Sequence, residues 1–99
     1  MSYKKNEVVT VISVAGEYVG KFVKKDDSTL VLSDPKMLVN GEGGMGFANG
    51  ICVTGQEDPT SMTFYVGGIV FVTKTSSTVE SAYHQAVSGL IVGEGVGAL

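Results

Sequence analysis

Arginine is absent from this 99-residue chain, and its seven lysines face ten acids for a net charge of −3. Neutralisation of phosphates by Lys and Arg supplies most sequence-independent affinity for nucleic acids, so this composition counts against a dedicated nucleic-acid binder. Cysteine occurs once, at Cys52, which rules out an internal disulfide; the residue is expected to be a small buried hydrophobe, and a cytoplasmic protein is expected. Histidine also occurs once, at His84. Without a second histidine or cysteine no zinc set can be completed, and no serine or cysteine has a base placed beside it by motif. The paired acids Asp26-Asp27 and Glu57-Asp58 fall in turns, where solvation is their default. No enzyme activity, cofactor or metal is expected. No apolar run approaches the ~20 residues that span a bilayer. The N-terminal lysines lack the apolar segment of a secretory signal, so no membrane partner is expected.

What the chain does have is β-forming apolar sequence. The hydrophobic fraction is 43% and the mean hydropathy +0.25, high for one small domain that buries only roughly 60–65% of its unfolded surface alone. Association would help it. From Val8 to Asp34 the pattern predicts three strands, Val8–Ala15, Tyr18–Lys25 and Thr29–Ser33, separated by Gly16-Glu17 and by Asp26-Asp27-Ser28. Gly20 in mid-strand marks a sharp bend or a close backbone approach. A bent meander of this kind is half of a small barrel. Charge is segregated: residues 1–25 carry Lys4, Lys5, Lys21, Lys24 and Lys25 against Glu7 and Glu17, whereas residues 26–99 carry two lysines against eight acids. The simplest role for the basic block is to guard exposed strand edges against aggregation.

Further along, Asp34-Pro35 ends or bends the third strand, and Met37-Leu38-Val39 is placed to resume it. Residues 40–60 open with five glycines and two asparagines between Asn40 and Gly50, which predicts a loop. Gly41, Gly43 and Gly46 match dinucleotide-binding spacing, but no helix opens behind them, so that reading fails. Ile51 to Thr54 is a short strand candidate. Gly67-Gly68, between strands Ser61–Val66 and Ile69–Thr73, is a tight-hairpin signal. Ser77–Ser88 is the one credible helix, with capping-box spacing at Ser77 and Glu80 and an apolar stripe of Val79, Ala82, Tyr83, Ala86, Val87 and Leu90. Gly89 is a good stop. Packing on the domain's own sheet is its expected role. His84 falls four residues after Glu80 on the polar face, as a solvated pair. The tail 89–99 is apolar but broken by glycines.

Two segments together resemble the Sm-like family, which includes Sm, Lsm and Hfq proteins. Gly16, Gly20-Lys21-Phe22, Asp26 and Leu30-Val31-Leu32 match its first motif (residues 8–34), and Tyr65-Val66-Gly67-Gly68-Ile69-Val70 is the counterpart of its second (residues 61–73). The resemblance implies a mostly β Sm-like fold: a small, strongly bent, five-stranded antiparallel open barrel, here with a C-terminal rather than N-terminal helix. A five-stranded SH3-like module is the alternative. The Sm-like resemblance also implies a ring of about five to eight copies of the chain, joined edge to edge, that binds single-stranded, uridine-rich RNA at the pore rim rather than DNA.

Carried over by position, Asp26 is the motif aspartate, Ser28 or Thr29 stands where the family has its stacking residue and asparagine, and Val66, followed by Gly67, replaces the arginine. Lys24 and Lys25 adjoin the turn as the nearest cations. Base stacking contributes roughly 1–3 kcal/mol per base. A pocket without arginine or an aromatic stacking residue should therefore bind uridine weakly unless Tyr65, Phe47, Lys24 or Lys25 substitutes. A structural or protein-interaction ring without RNA is the competing expectation.

Overall fold

Alternating valines and isoleucines at the start of the chain become paired strands in the computed structural model, which describes residues 3–48, 55 and 59–88. Strands β1 (Val8–Ser13), β2 (Gly16–Lys25) and β3 (Thr29–Gly41) form an antiparallel meander. The first turn falls at Val14-Ala15, earlier than the glycine suggested. There the Ser13 hydroxyl donates to the Gly16 carbonyl at 2.8 Å and accepts from the Ala15 N–H at 3.1 Å. Gly16 itself sits at a φ of 140°, in the region that favours glycine.

Proline does not end β3; it bends it. Asp34 adopts a φ of 48°, and both Asp34 and Pro35 lie opposite the single residue Gly20, since Val19 pairs with Lys36 and Lys21 with Ser33. This is a β-bulge, which kinks the strand and tightens its twist. A second irregularity leaves Val23 unpaired between Phe22 and Lys24. Gly20 permits a close approach here: an added Cβ would lie 3.0 Å from Leu32 Cδ1, 3.1 Å from its Cβ and 3.3 Å from the Ser33 carbonyl, so these neighbours would have to give way. The close approach expected from the sequence is present.

Three expectations are corrected. Among the described residues the sheet has six strands rather than five, and part of the glycine-rich segment is not a loop: β4 (Gly44–Ala48) pairs with Met37–Gly41 around Glu42-Gly43. Its pairing is made by backbone, which glycine supplies as well as any residue, so composition hid it. Gly67-Gly68 is not a hairpin either. Strand β5 (Ser61–Tyr65) pairs with the first half of β3, while β6 (Ile69–Lys74) pairs with β1, and a 3-10 turn at Val66–Gly68 joins them. Neither glycine has positive φ, because two strands already paired elsewhere need a span rather than a reversal.

The sheet order is β4-β3-β2-β1-β6, with β5 beside β3, and among the described residues the sheet is not closed. Thus β3 is flanked on one edge by β2 and on the other by β5 and then β4, the change falling at the proline that cannot donate to a ladder. One face gathers Val9, Val11, Tyr18, Leu30, Leu32 and Phe64 into the main core. Helix α1 (Ser77–Ser88) has the boundaries expected from its pattern. It covers the opposite face, with Tyr83 against Val8 and Val19 and flanked by Phe47, Val79 and Val87. Among the described residues no helix is long and apolar enough to cross a membrane. The expectations for the 51–54 strand, Cys52, Gly89, Leu90 and the 89–99 tail lie outside the described residues.

Candidate functional site

The β2–β3 turn is built by one carboxylate. Asp26 Oδ1 accepts from the backbone N–H of Ser28 at 2.9 Å and of Thr29 at 2.8 Å, and from the hydroxyls of Thr29 at 3.0 Å and Ser28 at 3.4 Å. Aspartate folds its own backbone this way because its short side chain reaches N–H groups two and three residues ahead. The Ser28 N–H, followed by the Thr29 N–H and hydroxyl, favours the ionised form and holds the carboxyl at about 2, below its ordinary 3.8. The Asp26 N–H donates to the Thr29 carbonyl at 3.0 Å, closing the loop.

A distant segment is pinned to this turn. The Val66 N–H donates to the Ser28 carbonyl at 2.9 Å, and Tyr65 stands opposite Thr29 in the β3–β5 pairing. At the other end of the 3-10 turn the Val14 N–H donates to the Gly68 carbonyl at 2.8 Å. Val66–Gly68 therefore runs from the β2–β3 turn to the β1–β2 turn. Asp26, Ser28, Thr29 and Val66 are brought together, with Gly67 next along the chain and nothing within 4 Å of where its Cβ would be.

Lysine enters from β2. Both Lys24 and Lys25 are exposed, opposite Val31 and Leu30, and Lys25 Nζ donates to the Asp26 carbonyl at 3.3 Å. The aromatic available at this end is Tyr65, 69% exposed. Phe47 is not available, because its half-buried ring packs edge-on against Tyr83 at 6.2 Å. Both turn hydroxyls spend their protons on Asp26, which leaves oxygen lone pairs as what they offer a ligand.

Lys21, part of the same basic block in the sequence, instead pairs with Asp34 at 3.2 Å on the helix side of the sheet. Tyr83 anchors that side: its hydroxyl donates to the Asp34 carbonyl at 2.7 Å. Burial, then the Asp34 charge, pushes its ionisation well above the ordinary tyrosine range. His84 Nε2 lies 3.4 Å from Glu80 Oε2 in a surface pair. Among the described residues no three His, Cys, Asp or Glu side chains gather as a metal site. Compared with models of known protein families and with curated protein sequences, the chain matches none.

Proposed function

We propose that this chain is an Sm-like subunit that assembles into a homo-oligomeric ring and binds single-stranded RNA weakly at the turn end of the sheet. The observation that carries the reading is the span at Val66–Gly68. It ties the second-motif residues to the Asp26 turn and leaves β5 and β6 as strands that, among the described residues, each pair on one edge alone. Such edges present unpaired N–H and C=O groups and invite another strand. On β6, Val70 is 63% and Phe71 53% exposed, apolar surface that a neighbouring copy would cover.

At the site, Tyr65 offers a face for a base, and Lys24 and Lys25 offer charge to phosphates. The hydroxyl oxygens of Ser28 and Thr29 can accept from the N3–H of uracil. With Val66 in the place of an arginine, affinity rests on stacking and charge rather than on a tight uridine pocket. A ring acting only as a scaffold is favoured by one observation: the Asp26 carboxylate is consumed by its own turn and adds negative charge to the site.

Light scattering on a sizing column, with and without a short oligo-uridine, tests the proposal. A mass of several 10.3 kDa chains that falls to one chain in Phe71→Glu is expected, together with a further rise on adding RNA. A monomer refutes the ring. A ring that gains no RNA even at low salt leaves the scaffold.

A further inference from the structure

A second cationic place lies away from the Asp26 turn. The N-terminal turn of Lys4, Lys5, Asn6 and Glu7 meets Val8, Lys74 at the end of β6 and Glu80 in the first turn of α1, around an open hollow of about 490 Å³. That volume is within the range of ligand sites, which run from roughly 300 to 1,000 Å³. Its lining is not that of an apolar ligand site, since Val8 is the sole aliphatic among these residues. The hollow is held by backbone: the Asn6 N–H donates to the Phe22 carbonyl at 2.7 Å and the Phe22 N–H to the Glu7 carbonyl at 2.8 Å, while Asn6 takes a φ of 73°.

Charge decides what would enter. Three lysines face two glutamates, and both glutamates have other partners. Glu7 Oε1 accepts from the Lys4 backbone N–H at 3.0 Å, and Glu80 lies 3.4 Å from His84. Among the described residues no carboxylate lies within ion-pair distance of the Lys4, Lys5 or Lys74 side chain. The sheet brings Lys74 here, because β6 pairs with β1 and sets Lys74 opposite Val9; in the sequence it stands alone in an acidic stretch.

We propose that this hollow is a phosphodiester-binding site through which single-stranded RNA makes a second set of backbone contacts, with Lys5, Lys74 and Lys4 supplying charge and Asn6 an amide donor. It rests on the RNA reading above and adds a site whose lysines all lie outside both motifs. The hollow binds backbone rather than bases, so it confers affinity without sequence preference. The basic N-terminal block thus divides into two places: Lys24 and Lys25 at the turn, and Lys4 and Lys5 here with Lys74.

The test is fluorescence anisotropy of a labelled oligo-uridine titrated with the full chain over a range of salt. Each phosphate contact on a single strand contributes about 0.7 to the slope of log K against log salt. Lys5→Gln/Lys74→Gln is expected to lower that slope by about 1.4, with oligomer mass and circular dichroism unchanged. Lys36→Gln, the loss of one charge outside the hollow, is expected to leave it unchanged. Inorganic phosphate added at constant ionic strength is expected not to displace the RNA; displacement by it alone would identify a small-anion site and overturn the backbone assignment. RNA binding with an unaltered slope in the double variant, or a fall of about 0.7 in Lys36→Gln, overturns the hollow while sparing the RNA reading. No binding by the unaltered chain overturns both.

Discussion

Removing the Tyr83 hydroxyl and removing its ring should separate the two ways in which α1 is held to the sheet. The ring is fully buried between Val8 and Val19, and Phe47 meets it edge-on at 6.2 Å. The hydroxyl makes one short bond to the Asp34 carbonyl, at 2.7 Å, and a long one to the Ser33 carbonyl, at 3.4 Å. Tyr83→Phe keeps the ring and leaves a carbonyl without its donor, at a cost of about 1 kcal/mol. Tyr83→Ala empties a site with little freedom to collapse, because the strands below it are fixed by their ladders; about 3–5 kcal/mol is expected, as for other large aromatic deletions. In a domain whose whole stability is about 5–15 kcal/mol, the second change approaches unfolding.

Urea unfolding followed by circular dichroism, at one protein concentration throughout, measures both. Tyr83→Phe should shift the midpoint slightly with an unchanged slope, equivalent to about 4–8 °C in Tm. Tyr83→Ala should lose most of the native baseline or unfold with far lower stability. Equal costs for the two variants would show that the hydroxyl, not the packing, docks the helix. A Tyr83→Ala protein as stable as the unaltered chain would refute the described position of α1.

Three other outcomes follow from the same geometry. Gly20→Ala forces a methyl against Leu32 and the Ser33 carbonyl, a strain of about 1–3 kcal/mol offset by about 0.4–1 kcal/mol of unfolded-state entropy. A net loss near 1–2 kcal/mol is expected in urea unfolding, and a stabilised variant would contradict the bulge. The Asp26 carboxyl, held at about 2 in the fold, should titrate there by NMR. Because the folded value lies below the unfolded one, its contribution is present above pH ~4 and lost as pH falls through about 2; Asp26→Asn should remove that part of the acid dependence, and a midpoint near 4 would mean the turn bonds do not form in solution. Tyr65→Ala should weaken oligo-uridine binding by about 1–3 kcal/mol if a base stacks there, measured by anisotropy, whereas Tyr65→Phe should bind as the parent does; equal loss in both would assign the hydroxyl rather than the ring.

How far these features were legible in the sequence depends on how local their causes are. Helix α1 was legible to the residue because Val79, Tyr83 and Val87 repeat at helical spacing and Ser77 and Ser88 bound them. The Asp26 turn was legible for a similar reason: its hydrogen bonds reach two and three residues. Strand β4 was hidden because Gly44 and Gly46 carry no side-chain alternation, and only Met45 and Phe47 hint at it. Lys74 could not be joined to Lys4 and Lys5 without the β1–β6 pairing. The pattern of a glycine pair between two apolar strands pointed to a hairpin at Gly67-Gly68, but tertiary pairing of β5 with β3 and β6 with β1 overrode it.

The same pairing separates residues that hold backbone from side chains that do not. Val66 is fixed to the turn through its N–H, and Gly68 to Val14 through its carbonyl; both bonds are indifferent to the side chain at Val66. Asp26 is different, because its side chain makes the turn. Residues that hold backbone are therefore constrained by the bend of the sheet, while the side chain at Val66, 36% exposed, is free of that constraint. An arginine placed there would gain a guanidinium beside Tyr65 without disturbing either anchor. If the ring reading is right, Val66→Arg should raise oligo-uridine affinity about 5- to 30-fold, a gain of about 1–2 kcal/mol from stacking and charge. Anisotropy that shows no gain, in a variant with unchanged mass and spectrum, would place the RNA elsewhere.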